Sequence, residues 1–318
     1  MSKKRRRSRR RKPSKAQRPA RREAPPPMFD RRAMEKSLAD ISRLLSEQEF
    51  ESAEEMQAFL DEVLRSGGPP EMAPRTPLEE AQDLMYQAWE ARGRRRRVEL
   101  ARKALEISPD CADAYVLLAE ETARSLEEAL DLYARGVEAG ERALGPEAFE
   151  EYVGHFWGVL ETRPYMRARA GLAECLWALG EREAAMEHYR DMLHLNPGDN
   201  QGIRYLLAAC LLELDRDEEL EALLKQYEDD VTADWLYTWA LLAFRRQGDS
   251  PEARRRLREA QRWNPHVPPY LLGRKRLPRR IPAYITFGEE SEAISYVAAF
   301  GESWRRTEGA LEWLALVE

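Results

Sequence analysis

The sequence predicts an all-α protein in which helical hairpins stack into a solenoid, and three observations support this prediction. Apolar residues recur at the three- and four-residue spacing of amphipathic helices from about residue 30 onward, while alternating strand patterns are nearly absent. Glycine and proline fall between these helical stretches. One pattern of residues also recurs after 68 positions, which indicates internal repeats.

Composition divides the chain into five segments. From the N-terminus, we expect a disordered basic tail, a helical hairpin, a linker, a repeat region, and a C-terminal region with a basic connection and capping helices. Their expected bounds are 1–27, 28–66, 67–77, 78–265 and 266–318. The first segment has no apolar periodicity and too few apolar residues to offset the entropy cost of ordering.

Two short helices are predicted in the hairpin, over about 30–46 and 52–65. In the first, Leu38, Ile41 and Leu45 recur at helical spacing. The linker that follows is rich in glycine and proline, so it separates the hairpin from the repeat region.

Capping boxes indicate where two helices begin. Ser52 precedes Glu55 by three residues, and Thr76 precedes Glu79 in the same way. Pro77 strengthens the second prediction, because proline is favoured at the first position of a helix.

The internal similarity relates two segments of the repeat region. Gly180, Ala185, Tyr189 and Pro197 are separated by 5, 4 and 8 residues. The same separations recur at Gly248, Ala253, Leu257 and Pro265. The two prolines are 68 residues apart, which is twice 34.

This pattern resembles the tetratricopeptide repeat, a helix-turn-helix unit of about 34 residues. The resemblance implies a right-handed solenoid with a concave groove lined by the first helix of each unit. Five units are predicted, at about 78–109, 112–138, 166–197, 200–230 and 234–265. The fourth lacks the turn glycine, and a surplus of about 20 residues predicts a lengthened or extra helix at about 139–163.

Beyond Pro265 the repeat pattern ends in a proline-rich basic connection, with five Lys or Arg between Arg274 and Arg280. Two further helices are predicted, over about 289–304 and 308–316. We expect them to cap the solenoid, because a terminal unit needs a face that tolerates water.

The chain as a whole has a net charge of −6, yet the first 27 residues carry thirteen Lys or Arg and one Glu. The rest of the chain is therefore about −18. Such a tail could bind a nucleic acid or the ribosome, act as a nuclear-import signal, or only improve solubility. The candidate polyanion-binding residues are Lys3, Lys4, Arg5, Arg6, Arg7, Arg9, Arg10, Arg11 and Lys12.

Several classes of protein are disfavoured by the sequence. No apolar run approaches the length of a membrane span, and the basic N-terminus is followed by prolines, not by a signal sequence, so we expect a cytoplasmic protein. Cys111, Cys175 and Cys210 lack metal-site spacing and are expected to be reduced core thiols. Four histidines and no catalytic or nucleotide-binding motif predict neither an enzyme nor a metal or other cofactor.

The favoured function is a scaffold or adaptor that holds a protein or peptide in the groove. Arginine and tryptophan there would suit a peptide with carboxylates and an apolar anchor. The expected groove residues are Arg167, Glu174, Trp177, Gln201, Arg204, Trp235, Thr238 and Arg245, with Ala170, Ala208 and Leu242 beside them. The alternative for both tryptophans is packing between helices.

A rival hypothesis is nucleic-acid or ribosome association through the basic tail. Three further basic clusters could contribute, at 94–97, 254–258 and 274–280. The acidic charge of the remaining chain argues against these clusters, because helix arginines commonly pair with neighbouring Glu.

The segments LARKALEISPDCADAYVLLAEE, 100–121, and RPYMRARAGLAECLWALGEREAAMEHYRDMLHLNPGDNQGIRYLL, 163–207, resemble the suppressor of tumorigenicity 7 family and its bacterial relatives. The resemblance extends over roughly 77–318. It implies a repeat-containing protein without an assigned reaction. Eukaryotic members carry membrane segments that are not visible in this sequence, so the resemblance favours the bacterial branch.

Overall fold

The computed structural model describes residues 31–282 and 284–317, with side chains from Met34 onward. These residues form α-helices, one 3-10 turn and connecting loops, without a strand. The basic tail, 1–27, lies outside the described residues. The helices are α1 (Arg31–Leu45), α2 (Ala53–Arg65), α3 (Pro77–Glu90), α4 (Arg94–Ile107), α5 (Ala112–Thr122), α6 (Leu126–Glu151), α7 (Arg163–Leu179), α8 (Arg182–Leu195), α9 (Ile203–Glu213), α10 (Asp217–Gln226), α11 (Ala233–Gln247), α12 (Pro251–Trp263), α13 (Val267–Leu271), α14 (Glu290–Arg306) and α15 (Ala310–Val317).

From α3 onward, helices pack as hairpins, which confirms the all-α solenoid. The pairs are α3 with α4, α5 with α6, α7 with α8, α9 with α10, α11 with α12, and α14 with α15. Further contacts join α4 to α5, α6 to α7, α8 to α9, and α10 to α11, so each hairpin buries its apolar face against the next. The predicted N-terminal hairpin differs, because α1 packs on α3 and does not pack extensively on α2.

Local sequence signals set the helix ends. The Ser52 hydroxyl accepts the Glu55 amide at 3.1 Å, and the Thr76 hydroxyl accepts the Glu79 amide at 3.1 Å, as the capping boxes predict. Gly180 ends α7 with a φ of 92°, in the left-handed region that favours glycine. In the fourth hairpin, which has no turn glycine, Asp215 takes this conformation with a φ of 57°.

The surplus residues lengthen α6 and add a turn after it. Gly145 interrupts α6 with a φ of 70° and a ψ of 165°, just before Pro146, and a 3-10 turn spans Phe156–Gly158. Upstream of this kink, α6 meets α7 so closely that a Cβ on Gly140 would lie 2.8 Å from the Cβ of Tyr165. The extension therefore depends on a glycine contact between the two helices.

The buried core forms one large cluster, from the third unit to the C-terminus, and smaller clusters in the first two units. Cys111, Cys175 and Cys210 are all buried and unbridged. Burial raises the pKa of the Cys111 thiol and of the Cys210 thiol, each to about 12. The three cysteines are therefore protonated core residues at neutral pH.

Aromatic side chains fasten the C-terminal helices. On α14, Tyr296, Phe300 and Trp304 are at most 1% exposed. The Trp304 ring lies 6.5 Å from that of Tyr237 on α11 and 6.4 Å from that of Trp313 on α15. α14 also contacts α9, so it covers the first helices of the last two repeat units. The short helix α13 was not predicted from the sequence.

Candidate protein-binding groove

Helix α1 lies against the first helices of the first and third repeat units. It packs on α3, and its side chains form ion pairs with α3 and α7. Between those helices, α5 contacts both α3 and α7. We call the surface that α3, α5 and α7 present to α1 the groove face.

Arg167 on α7 joins α1 to the groove face through two carboxylates. Its Nε and Nη2 donate to Asp113 of α5 at 2.7 and 2.6 Å, and its Nη1 donates to both oxygens of Glu35 of α1 at 2.9 and 3.0 Å. Asp113 is fully buried, and it also accepts Gln82 Nε2 of α3 at 2.8 Å. One guanidinium thus connects three elements with the paired geometry that arginine favours.

The charge state of this cluster follows from its pairing. Burial alone would lower the pKa of the Arg167 guanidinium, but the charges and hydrogen bonds of Asp113 and Glu35 outweigh burial and raise it. Arg163, one turn earlier on α7, donates to Glu35 Oε1 at 3.3 Å. Arg163 also stacks over the Trp157 ring, with its Cζ 5.5 Å from the ring centre. Glu35 therefore binds between two arginines.

A second ionic contact, of opposite polarity, lies eight residues further along α1. Arg43 donates to both oxygens of Asp83 on α3 at 3.0 Å, and its Nε lies 3.1 Å from Glu79. Burial again opposes the charge, yet the hydrogen bond and charge of Asp83 raise the pKa of Arg43. The groove face is thus basic at one end and acidic at the other, in register with Glu35 and Arg43.

The side of α1 that faces the groove is mostly charged. Its buried residues are Glu35, Ala39, Asp40 and Arg43. Met34 is 58% exposed and Leu38 is 42% exposed, although an apolar helical periodicity is typical of a core-facing stripe. α1 therefore docks through its charges, and part of its apolar stripe faces outward.

A cavity of about 190 Å³ remains beneath α1. Its walls include Ala39 and Arg43 of α1, Tyr86 of α3, and Tyr165 and Arg167 of α7. Burial, and then the charges of Asp113 and Glu35, raise the pKa of the Tyr86 phenol, so this wall stays neutral. α1 covers the groove face without filling it.

The other expected groove residues on α7 remain near the surface. Glu174 is exposed. Desolvation of its carboxyl group by neighbouring residues, and then the charge of Glu120 on α5, raise its pKa. Trp177 is half-buried against the core, and the Arg182 guanidinium lies 4.0 Å from its ring centre. Glu174 is therefore open to a partner, while one face of Trp177 is covered.

On α9, Arg204 is occupied within the protein. It pairs with Asp199 at 3.0 Å and Asp230 at 2.8 Å, and lies 4.4 Å from the Tyr205 ring centre. Gln201 is half-buried, just before the helix begins. Arg204 thus fastens a loop to the fourth hairpin and has little capacity left for a ligand.

On α11, Trp235 and Thr238 are fully buried, so their expected exposure to the groove is wrong. Trp235 packs against Tyr205 and donates its indole N–H to the Leu224 carbonyl at 3.3 Å, the alternative of packing between helices. Arg245 pairs with Asp215 at 2.5 Å and Asp217 at 3.1 Å beside the end of α14. Trp235 and Thr238 were expected in the groove because the repeat consensus fixes the rotation of a helix about its own axis only to within part of a turn.

Sequence reasoning found Arg167 but missed its partners Glu35 and Asp113. Asp113 carries a visible signal, because it is a lone acid at the start of the apolar run of α5. Glu35 carries no comparable signal, since its contact with Arg167 joins positions 132 residues apart.

The basic clusters at 94–97 and 254–258 are largely paired, whereas in the exposed cluster at 274–280 Lys275 pairs with Glu290. Arg94 donates to the Glu121 carbonyl at 2.7 Å, and Arg97 lies 2.5 Å from the Glu121 carboxylate. Arg254 pairs with Asp249 at 2.5 Å. Among the described residues, no group of His, Cys, Asp and Glu could hold a metal ion, and no helix has the length and apolarity that a bilayer span requires.

Comparison with known proteins identifies the relatives of this chain. It is 33% identical over 253 residues to the Suppressor of tumorigenicity 7 protein-like of Bos taurus, covering 73% of this chain and 45% of that protein. It is 32% identical over 260 residues to the Protein ST7 homolog of Drosophila melanogaster, covering 74% and 48%. The chain thus spans about half the length of these relatives or less.

Among solved structures, the chain is similar to YrrB, described as a TPR protein with an unusual peptide-binding site. The identity is 18% and the TM-score 0.41, over 58% of this chain and 84% of that one. The family described as ST7 protein matches residues 73–318, which include the whole groove face. The chain therefore belongs to the ST7 family.

Proposed function

We propose that this protein is a non-catalytic scaffold whose groove face binds a helical segment of a partner protein. The observation that carries the proposal is α1 itself, which lies on that face with Glu35 held by Arg163 and Arg167. A surface that binds one helix through a carboxylate and an arginine has the size and charge to bind another such helix. The helix-in-groove mode is a common form of peptide recognition.

The chemistry of the partner follows from the two ends of the groove face. Arg163 and Arg167 favour a carboxylate, while Glu79 and Asp83 favour a basic side chain. In α1 these groups are eight residues apart, which corresponds to about 12 Å along a helix. The partner helix therefore carries an acid and, two turns later, an arginine or lysine. Glu174 extends the surface beyond α1.

A scaffold role also fits the way that charged groups are used. The acids and arginines of the groove face pair with one another and hold helices together. The three buried, unbridged cysteines suit a reducing compartment, so we propose that the scaffold acts in the cytoplasm.

Photo-crosslinking with the full chain tests this function. A benzophenone amino acid replaces Glu174, which is exposed on α7, or Glu187, which is exposed on α8 of the same hairpin and serves as the matched control. In cells of the source organism, we expect the Glu174 position to crosslink a protein that the Glu187 position does not.

The crosslink must also depend on the groove. Because Arg163 also holds Glu35 of α1, its effect is measured in a chain that carries Glu35→Gln and Arg43→Met. In that chain Arg163→Ala should reduce the crosslink several-fold, while Arg190→Ala on α8 should leave it unchanged. Equal crosslinking from both glutamate positions, or a product insensitive to Arg163→Ala in that chain, would reject the groove face as the binding surface.

A further inference from the structure

We propose that α1 is a displaceable occupant of the groove face, so that a partner helix binds only after α1 has left. This inference rests on the proposed function, because it concerns regulation of the same surface. α1 would act as an internal copy of the partner, presenting Glu35 to the basic end and Arg43 to the acidic end.

The contacts of α1 are of a kind that a competitor can replace. Three of its four buried residues are charged, and Ala39 is the only buried apolar one among the described side chains of this helix. A carboxylate and an arginine on another helix could take over the same hydrogen bonds. Desolvation offsets much of the energy of buried ion pairs, so docking of α1 gains little free energy beyond specificity.

The packing beneath α1 is also incomplete. The cavity of about 190 Å³ lies directly under it, lined by Ala39, Tyr86 and Tyr165 among others. A helix with larger side chains at the position of Ala39 would fill this space and gain apolar contact that α1 lacks. The groove face can therefore bind a better-fitting helix more tightly than it binds α1.

The connection to the rest of the chain permits α1 to leave. Residues 46–76 separate it from α3, and α2 within them does not pack extensively against any other described helix. The family match begins at residue 73, so the groove face lies inside the matched region and α1 lies before it. α1 is thus a tethered helix on a surface that is complete without it.

The tether determines how strongly α1 competes. Met72 and Arg75 of this connection hydrogen-bond to Asp40 and Arg43 of α1, so these bonds also break when α1 leaves. A short connection of this kind gives an effective concentration on the order of 1 mM. If α1 itself has a dissociation constant of about 100 μM for the open groove, an external helix binds the wild-type chain about tenfold more weakly than a chain whose α1 is released. This difference is the measurable signature of the occupant.

Fluorescence anisotropy with a labelled peptide of residues 31–47 provides the test. The probe is titrated into the full-length wild type, into the Glu35→Gln/Arg43→Met double variant, and into Glu54→Gln, which changes an exposed acid of α2 as the matched control. We expect the double variant to bind the probe at least about tenfold more tightly than the other two proteins. A probe that carries Glu35→Gln should lose most of this binding.

Hydrogen exchange of residues 34–45 shows, for each protein, whether α1 has left the groove face. We expect the double variant to lose protection there, while the wild type and Glu54→Gln retain it. Retained protection in the double variant would overturn the proposal, because α1 would then be held by other contacts. Equal probe affinity for the wild type and a released double variant would overturn it too, yet leave the proposed function standing.

Two other results also count against the inference. If the released double variant did not bind the probe, the groove face would not be a site for such helices, and the crosslinking result at Glu174 would decide the proposed function separately. If the wild type were a dimer that dissociates on Glu35→Gln, α1 would occupy the groove of a second copy, and the internal occupant would be ruled out.

Discussion

α1 and α14 both lie against the first helices of repeat units, near opposite ends of the described chain, but they are held by different forces. α14 buries Tyr296, Phe300 and Trp304 in an aromatic core, with a stacking distance of 5.0 Å between the first two rings. α1 buries mainly Glu35, Asp40 and Arg43 and leaves apolar side chains exposed.

This difference indicates which of the two helices is packed stably as part of the solenoid. Apolar burial gains free energy roughly in proportion to area and does not depend on an exact counterpart, so α14 is a permanent cap. Ion pairs gain little over water but discriminate between partners, so α1 is held weakly and selectively. Four predictions test the contrast, in order of decreasing effect.

The largest effect is expected for Trp304→Ala in the α14 contact. The side chain is fully buried among Tyr237, Tyr296 and Trp313, and its removal leaves a large cavity. The free energy of unfolding should fall by about 4 kcal/mol in a urea titration. Leu316→Ala, at a position that is 80% exposed, should change it by less than about 0.5 kcal/mol. Equal effects would show that α14 is not a core element.

Arg167→Met should have the next largest effect, because it leaves the buried Asp113 without a cation and leaves Glu35 with Arg163 alone. A loss of about 3 kcal/mol of unfolding free energy is expected. Adding Asp113→Asn and Glu35→Gln to the same chain should recover much of that loss, since the uncompensated charges are then gone. No recovery would mean that Arg167 stabilises the groove face through packing instead of charge.

A pH effect is expected beside α14, where burial and then the charge of Glu292 raise the pKa of Asp234 to about 7. The pKa is higher in the folded state than in the unfolded state, so the folded protein binds more protons between about pH 4 and 7. The contribution of Asp234 to stability therefore falls as pH rises through that range.

Asp234→Asn should remove this contribution to the pH slope and raise the unfolding free energy at pH 8 by about 2 kcal/mol relative to wild type. Asp229→Asn, which changes a nearby exposed acid, is the control. Parallel stability curves for wild type and Asp234→Asn across pH 4 to 8 would contradict the raised pKa.

The smallest global effect is expected for Glu35→Gln. Arg167 keeps its pair with Asp113, so the free energy of unfolding should change by less than about 0.5 kcal/mol. Amide exchange in α1 should nevertheless accelerate several-fold, because local opening does not require global unfolding. A global loss as large as that of Trp304→Ala would show that α1 belongs to the core, as α14 does.

The hairpins could be predicted because their signals are local. Gly180 adopts a left-handed turn and proline cannot continue a helix, so their spacing alone marks where each unit turns and ends. The orientation of Trp235 could not be fixed in this way. A rotation of part of a turn separates the groove from the interior, and only packing against Tyr205 and Tyr227 decides between them.

The docking of α1 could be predicted least. Its apolar periodicity correctly indicates a helix, but the face that is buried is selected by partners far along the chain, Asp83 and Arg167. Ion pairs at such separations leave no periodic trace in one sequence. The net acidic charge of the chain after residue 27 likewise does not reveal that many of its arginines form specific ion pairs.

The three buried thiols can report partial opening of the solenoid. Cys111 immediately precedes α5, Cys175 lies in α7 and Cys210 in α9, so successive hairpins each carry one buried thiol. A thiol reagent reaches each sulfur only when its own hairpin opens. The order in which the three sites become labelled would map how disorder spreads along the stack, without introducing any foreign residue.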